Sequence, residues 1–161
     1  MAKAADALTG LKEGAKAQEI KLKTADGRDF QLSALKGKRV VLYFYPKADT
    51  PGCTKQACAF RDSMSELEGL NAEVVGVSPD AEKAIGKFRD KYNLSFTLLA
   101  DVDHKAAEAY GVWKEKSMYG KTYMGVERTT FVIDENGKIA KIFQKVKVDG
   151  HADEVQAALA G

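Results

Sequence analysis

The chain is poor in histidine, proline and cysteine, with two, three and two of them in 161 residues. Each shortage removes a class of chemistry. His104 follows Asp101-Val102-Asp103 and His151 precedes Asp153, so both read as surface residues near helix starts. Without a well-placed histidine, a papain-like Cys/His hydrolase is unsupported. The cysteines are spaced C-x4-C, and no second ligand pair accompanies them, which leaves a structural zinc site weakly supported. Long apolar runs are missing too. Val40–Tyr45 is the longest, far short of a membrane span. The opening MAKAADALTGLKEGAKA is polar and Ala-rich, unlike a secretory signal, which places the protein in the cytoplasm. Large charge of one sign is also lacking. The 25 basic and 23 acidic residues give +2, with lysines spread along the chain, so neither nucleic acid nor a membrane surface is expected as partner.

What is present is an ordinary globular composition, 45% hydrophobic and 30% charged, in a chain long enough for one well-buried core. No repeat or linker divides it. Residues 1–13 read as an N-terminal extension and 14–161 as a single domain. Alternation at Glu19–Lys23, a turn at Asp26-Gly27 and a second run at Asp29–Leu32 predict a hairpin. Arg39–Tyr45 and Ala72–Ser78 are continuously apolar, as strands buried on both faces are. A helix opening at Pro79-Asp80 carries Ala84, Ile85, Phe88 and Tyr92 at helical spacing. Then follow a strand at Phe96–Leu99, a helix from about His104 to Tyr110, and a strand at Arg128–Ile133. The chain turns through Asn136-Gly137 into Lys138–Val146 and ends in a helix from Asp153 to Ala160. Strands alternating with helices predict an α/β sandwich with a mixed central β-sheet.

Every cysteine lies in one stretch, DTPGCTKQACAF, residues 49–60. Thr50 suits a helix N-cap and Pro51 the first helical position. Gly52 lets the backbone approach whatever binds there. Cys53 then falls in the first turn, where unpaired N–H groups and the positive end of the helix dipole favour a thiolate nucleophile. With the helix running to about Leu70, Cys53, Ala57, Phe60, Met64 and Leu67 share one stripe, and Cys58 lies roughly 140° away on the polar flank. In an intact helix the two Cα atoms are about 8.5 Å apart. A disulfide needs roughly 4.4 to 6.8 Å, so the pair bridges only if the first turns unwind. Inert thiols, a metal clip and a working redox pair remain the alternatives at this point.

The segment Pro46-Lys-Ala-Asp-Thr50-Pro-Gly-Cys53 resembles the Pro-x-x-x-Thr-x-x-Cys signature of the peroxiredoxins. The fuller YFYPKADTPGCTKQACAFRD, with FTLLADVDHKAAEAYGVWKEKSMYGKTYMGVERTTFVID, is similar to the bacterioferritin comigratory protein (PrxQ) branch over roughly residues 14 to 160. The resemblance implies a thioredoxin-like sandwich, which fits the element order, and no metal or organic cofactor. It implies a thiol-dependent peroxidase acting on hydrogen peroxide and organic hydroperoxides. Cys53 matches the peroxidatic cysteine and Cys58 the resolving cysteine that closes a Cys53–Cys58 disulfide. Thr50 matches the threonine that bonds the thiolate and the incoming peroxide. Arg128 matches the arginine that favours the thiolate and steadies the leaving oxygen, and Pro46 the proline that shields the cysteine. The implied partners are the hydroperoxide and thioredoxin or a similar dithiol reductant, in a branch that is often monomeric. A peroxide-responsive redox sensor and a general thiol–disulfide oxidoreductase are the competing readings. On the residues alone, Arg128 has a surface ion pair with Glu127 or Asp134 as its plain alternative. Trp113, Tyr119 and Tyr123 read first as packing, with a pocket border or a reductant's docking face as the other reading. Two departures stand out: Gly14–Ile20 lacks the usual Asp, Pro and Phe, and Gln56 replaces a common Glu.

Overall fold

A computed structural model describes residues 11–161. The first ten residues of the expected extension lie outside that range. Leu11 is already buried in the core, and Gly14 N donates to Ile139 O at 2.6 Å, so the chain joins the domain along the strand of Ile139.

The centre is a seven-stranded sheet of order β2-β1-β5-β4-β3-β8-β9. Its strands are β1 (Lys21–Thr24), β2 (Asp29–Gln31), β3 (Arg39–Phe44), β4 (Ala72–Ser78), β5 (Thr97–Ala100), β8 (Thr129–Ile133) and β9 (Ile139–Phe143). β3, β4 and β5 run parallel, and the flanking strands pair antiparallel. This is the mixed sheet the element order predicts. β3 is apolar from Val40 onward because helices cover both of its faces. Val41, Tyr43 and Tyr45 point into one layer, while Val40, Leu42 and Phe44 point into the other. The first layer packs under α1 (Pro51–Asp62), α2 (Met64–Gly69), α3 (Glu82–Tyr92) and α5 (His151–Ala160). The second packs under α4 (Lys105–Ala109) and the N-terminal segment. No helix of the described residues is long and apolar enough to cross a membrane.

Two elements differ from the sequence expectation. The long helix after Pro51 breaks at Ser63, whose N–H is shared between Ala59 O (3.2 Å) and Phe60 O (3.1 Å), and α2 restarts at Met64. A two-stranded ribbon, β6 (Trp113–Met118) and β7 (Lys121–Val126), stands apart from the main sheet. Its turn places Tyr119 (φ 54°) and Gly120 (φ 78°) both in the left-handed region, the backbone of a tight hairpin.

Candidate active site

The site is built where β3 leaves the sheet. Pro46 ends the strand, and the loop behind it is tied down before the helix begins. Ala48 N donates to Asp80 Oδ2 at 2.7 Å. Asp49 adopts φ 59°, a conformation aspartate tolerates, and its carboxylate accepts from Lys91 Nζ at 3.0 Å and Tyr92 Oη at 2.9 Å. The hydrogen bonds from Lys91 and then Tyr92 on α3 hold the Asp49 carboxyl below its ordinary pKa. Thr50 takes the N-cap position with Pro51 following. Its hydroxyl does not cap the helix; it donates instead to Lys47 O at 2.9 Å. The oxygen's lone pairs are thereby left to accept a hydrogen bond.

Cys53, 1% exposed, sits in the first turn of α1 on the face packed against Tyr43, Tyr45 and Ala57. Both cysteines are free, and Cys58 is half-buried. Arg128, between β7 and β8, reaches the site from 75 residues away and donates through Nη2 to Cys53 Sγ at 3.3 Å. Its other arm donates through Nη1 to Gln56 Oε1 at 2.6 Å. One guanidinium fork thus spans a sulfur and a neutral amide, a geometry that a lysine could not reproduce. Gly52 is part of the fit, since a Cβ there would stand 3.2 Å from Arg128 Nη2. The plain alternatives for Arg128 are excluded: Glu127 pairs with Lys114 at 3.0 Å, and Asp134 caps its own turn.

The surroundings keep neutral groups neutral. Burial, then the neighbouring Tyr45, pushes the Tyr43 phenol well above its ordinary pKa, and burial raises Tyr45 as well. Lys116, on β6, lies close enough to be affected by Arg128 and Cys53. Burial first, then the Arg128 charge, lowers its pKa from the usual lysine value.

The AhpC/TSA family profile matches residues 14–142. The chain belongs to the AhpC/TSA family. Peroxiredoxin Bcp of Bacillus subtilis strain 168 is 51% identical to it over 146 residues, covering 91% of this chain and 93% of that one. Peroxiredoxin Bcp of Escherichia coli K12 is 47% identical over 145 residues, covering 90% and 93%. The solved bacterioferritin comigratory protein of Xanthomonas campestris, studied for its alkyl peroxide reduction, superposes with a TM-score of 0.84 at 40% identity, covering 88% and 90%. Within the AhpC/TSA family the chain is therefore a peroxiredoxin of the Bcp (PrxQ) kind, with the thioredoxin-like sandwich that the sequence predicts.

Seen as an AhpC/TSA member, the chain brings Cys53, Thr50, Gln56 and Arg128 to one place and leaves Cys58 on the flank of the same helix. The reading of the histidines needs correction in one case. His151 is buried, not on the surface: Nε2 meets Thr130 Oγ1 at 2.8 Å and Nδ1 meets Glu154 Oε1 at 2.7 Å. The Phe60 and Phe143 rings pack edge-on against it, so a tertiary pocket outweighs the local polarity. His104 is half-buried and stacks on Trp113 at 4.0 Å. Sequence reasoning noted Gln56 only as a departure and overlooked Lys116. The Gln-for-Glu exchange was a usable signal for the first; one lysine in a polar strand offered none for the second.

Proposed function

We propose that the protein reduces organic hydroperoxides and hydrogen peroxide through Cys53, closes a Cys53–Cys58 disulfide, and is recycled by a thioredoxin-like dithiol protein. The observation that carries this reading is the Arg128 guanidinium 3.3 Å from a thiol at the start of a helix whose N-cap residue is Thr50. The Cys53 thiolate attacks the nearer peroxide oxygen. An S–O bond forms to the hydroxyl-bearing oxygen, the O–O bond breaks, and the leaving alkoxide or hydroxide takes a proton from solvent to depart as alcohol or water. Thr50, which already donates to Lys47 O, accepts the O–H of the incoming hydroperoxide and aligns it. Arg128 carries a permanent charge and a donor to the sulfur and then to the developing oxyanion. Pro46 closes the loop side of the site against water.

The Cys53 sulfenic acid then condenses with the Cys58 thiol, releasing water. Because both thiols lie on α1, the cycle needs one chain only, and we assign the working form as a monomer. Closing the bond requires the first turns of α1 to unwind, for the distance reason given above. The alkyl substrate class rests on the alkyl peroxide reduction studied in the X. campestris relative.

One equivalent of cumene hydroperoxide, followed by intact mass and non-reducing peptide mapping, tests the cycle. Loss of two hydrogens at a Cys53–Cys58 link is expected. The Cys53→Ser variant should lose peroxide turnover by a factor of at least about 10³, the scale for removing a nucleophile. Turnover surviving in Cys53→Ser would falsify the mechanism. Sulfinic acid at Cys53 with Cys58 still free would remove Cys58 from it.

A further inference from the structure

The chain that leads into Arg128 is the β6–β7 ribbon, and its outer half exposes Met118, Tyr119 and Tyr123 among lysines and hydroxyl residues. Its register pairs Met118 with Lys121, Lys116 with Tyr123, and Glu115 with Met124. Alternation therefore puts Lys116, Met118, Lys121 and Tyr123 on one face, and Glu115 and Met124 on the other. On the first face Met118 is 56% exposed and Tyr123 46%, and Tyr119 at the turn is 96% exposed. Large apolar groups gathered at the end of a projecting ribbon mark a contact surface. Methionine adapts to a partner's shape, and tyrosine anchors with little loss of side-chain freedom. The face is continuous with the active site. β7 ends at Val126, two residues before Arg128, and Lys116 packs over Gly125 beside Tyr123.

We infer that this face docks the dithiol protein that reduces the Cys53–Cys58 disulfide, and that the partner offers an apolar patch around its reactive thiol with acidic residues at the rim. The inference rests on the cycle proposed above. Its charge argues for an acidic partner, since Lys116 and Lys121 share this face, while Glu115 lies on the other and Lys114 is paired with Glu127. The same charge argues against a second copy, because a two-fold contact would set Lys116 and Lys121 against their own counterparts. In the docked complex a thiolate of the partner attacks one sulfur of the disulfide and forms a mixed disulfide. The partner's second thiol then displaces it, so that two electrons and two protons pass to Cys53 and Cys58.

The test is steady-state turnover of the full chain with a bacterial thioredoxin as reductant and cumene hydroperoxide as oxidant. Met118→Ser and Tyr123→Ser should each raise KM for thioredoxin about five- to tenfold, as anchor residues do. Lys121→Glu should raise it and flatten its dependence on salt. Met124→Ser, on the opposite face, should stay within about twofold of wild type, the range of a near-neutral contact. With dithiothreitol in place of thioredoxin all variants should match wild type, which separates docking from folding. An unchanged KM in the Met118 and Tyr123 variants overturns the docking face, and so does an equal effect from Met124→Ser. A wild-type dimer in sedimentation that Met118→Ser splits overturns it in favour of self-association. Failure of the wild type to form the disulfide with peroxide sinks the underlying cycle instead, and intact mass reads that separately.

Discussion

At the scale of single residues, the Arg128 fork depends on what holds its second arm. Gln56 is buried, accepts from Nη1 at 2.6 Å, and leaves its Nε2 without a partner among the described residues. A hydrogen bond to a charged group contributes roughly 1.5–3 kcal/mol, and 1.4 kcal/mol is a factor of ten. Gln56→Leu should therefore slow Cys53 oxidation about tenfold, as followed by stopped-flow fluorescence of Trp113. Gln56→Glu retains the acceptor and should stay within about threefold, since the oxygen facing Arg128 is preserved. Wild-type rates in Gln56→Leu would show that Arg128 needs no such support. The strand end at Pro46, the helix start from Thr50 to Cys53 and the place of Cys58 on the helix flank were legible in the sequence because they lie in one short stretch with its own turn and helix signals. Arg128 was legible through resemblance alone, because no local pattern reports a contact across 75 residues. The Arg128–Gln56 bond was beyond reach for the same reason.

At the scale of elements, β3, β4 and the helix α3 announced themselves through apolar runs and helical spacing. The β6–β7 ribbon did not. WKEKSMYGKTYMGV alternates weakly, buries little, and turns on Tyr-Gly instead of the stronger Asn-Gly signal, which the β8–β9 turn does have. α5 hid its most consequential residue. The His151 imidazole is pressed between Phe60 of α1 and Phe143 of β9, and it faces Thr130 of β8 and Glu154 of its own helix. Burial, against the opposing pull of Glu154, lowers its pKa below 6.5, and the Arg128 charge lowers it further. The unfolded chain then takes up the proton first, so stability rises with pH through this window and is lost as pH falls below about 6.5. The carboxylates with lowered pKa, Glu19, Asp26, Asp49 and Asp149, act mainly below their ordinary values of 4.5 and 3.8, beneath this window. Thermal unfolding at pH 7.5 and 5.5 should show a fall in Tm of a few degrees, about 2–4 °C for each kcal/mol in a chain of this size. His151→Gln should start lower and fall less. An equal fall in both proteins would remove His151 as the cause.

At the scale of the whole molecule, one rigid sheet carries a reactive helix pinned unevenly along its length. Its far end is held by Arg61 Nη1 donating to Tyr92 O at 2.7 Å, its middle by the exposed pair Lys55–Asp149, and its first turn chiefly by packing and the Arg128 contact. Exposed pairs of that kind contribute little. Opening should therefore begin at Pro51. Hydrogen exchange before and after one equivalent of peroxide should show lost protection within Pro51–Asp62, with Met64–Gly69 and β4 unchanged. Loss spreading into β4 would contradict local opening.

The one-residue interruption at Ser63 also bears on how such a protein survives its own work. Helix melting is cooperative within a continuous ladder of bonds, so a longer helix would tend to fray as one piece. Here the ladder stops after 12 residues, and Leu67 beyond the break stays buried in the core. In the cycle proposed above, each round of oxidation would therefore offer proteases and chaperones only a short stub of chain, and the domain would not risk its fold at every turnover.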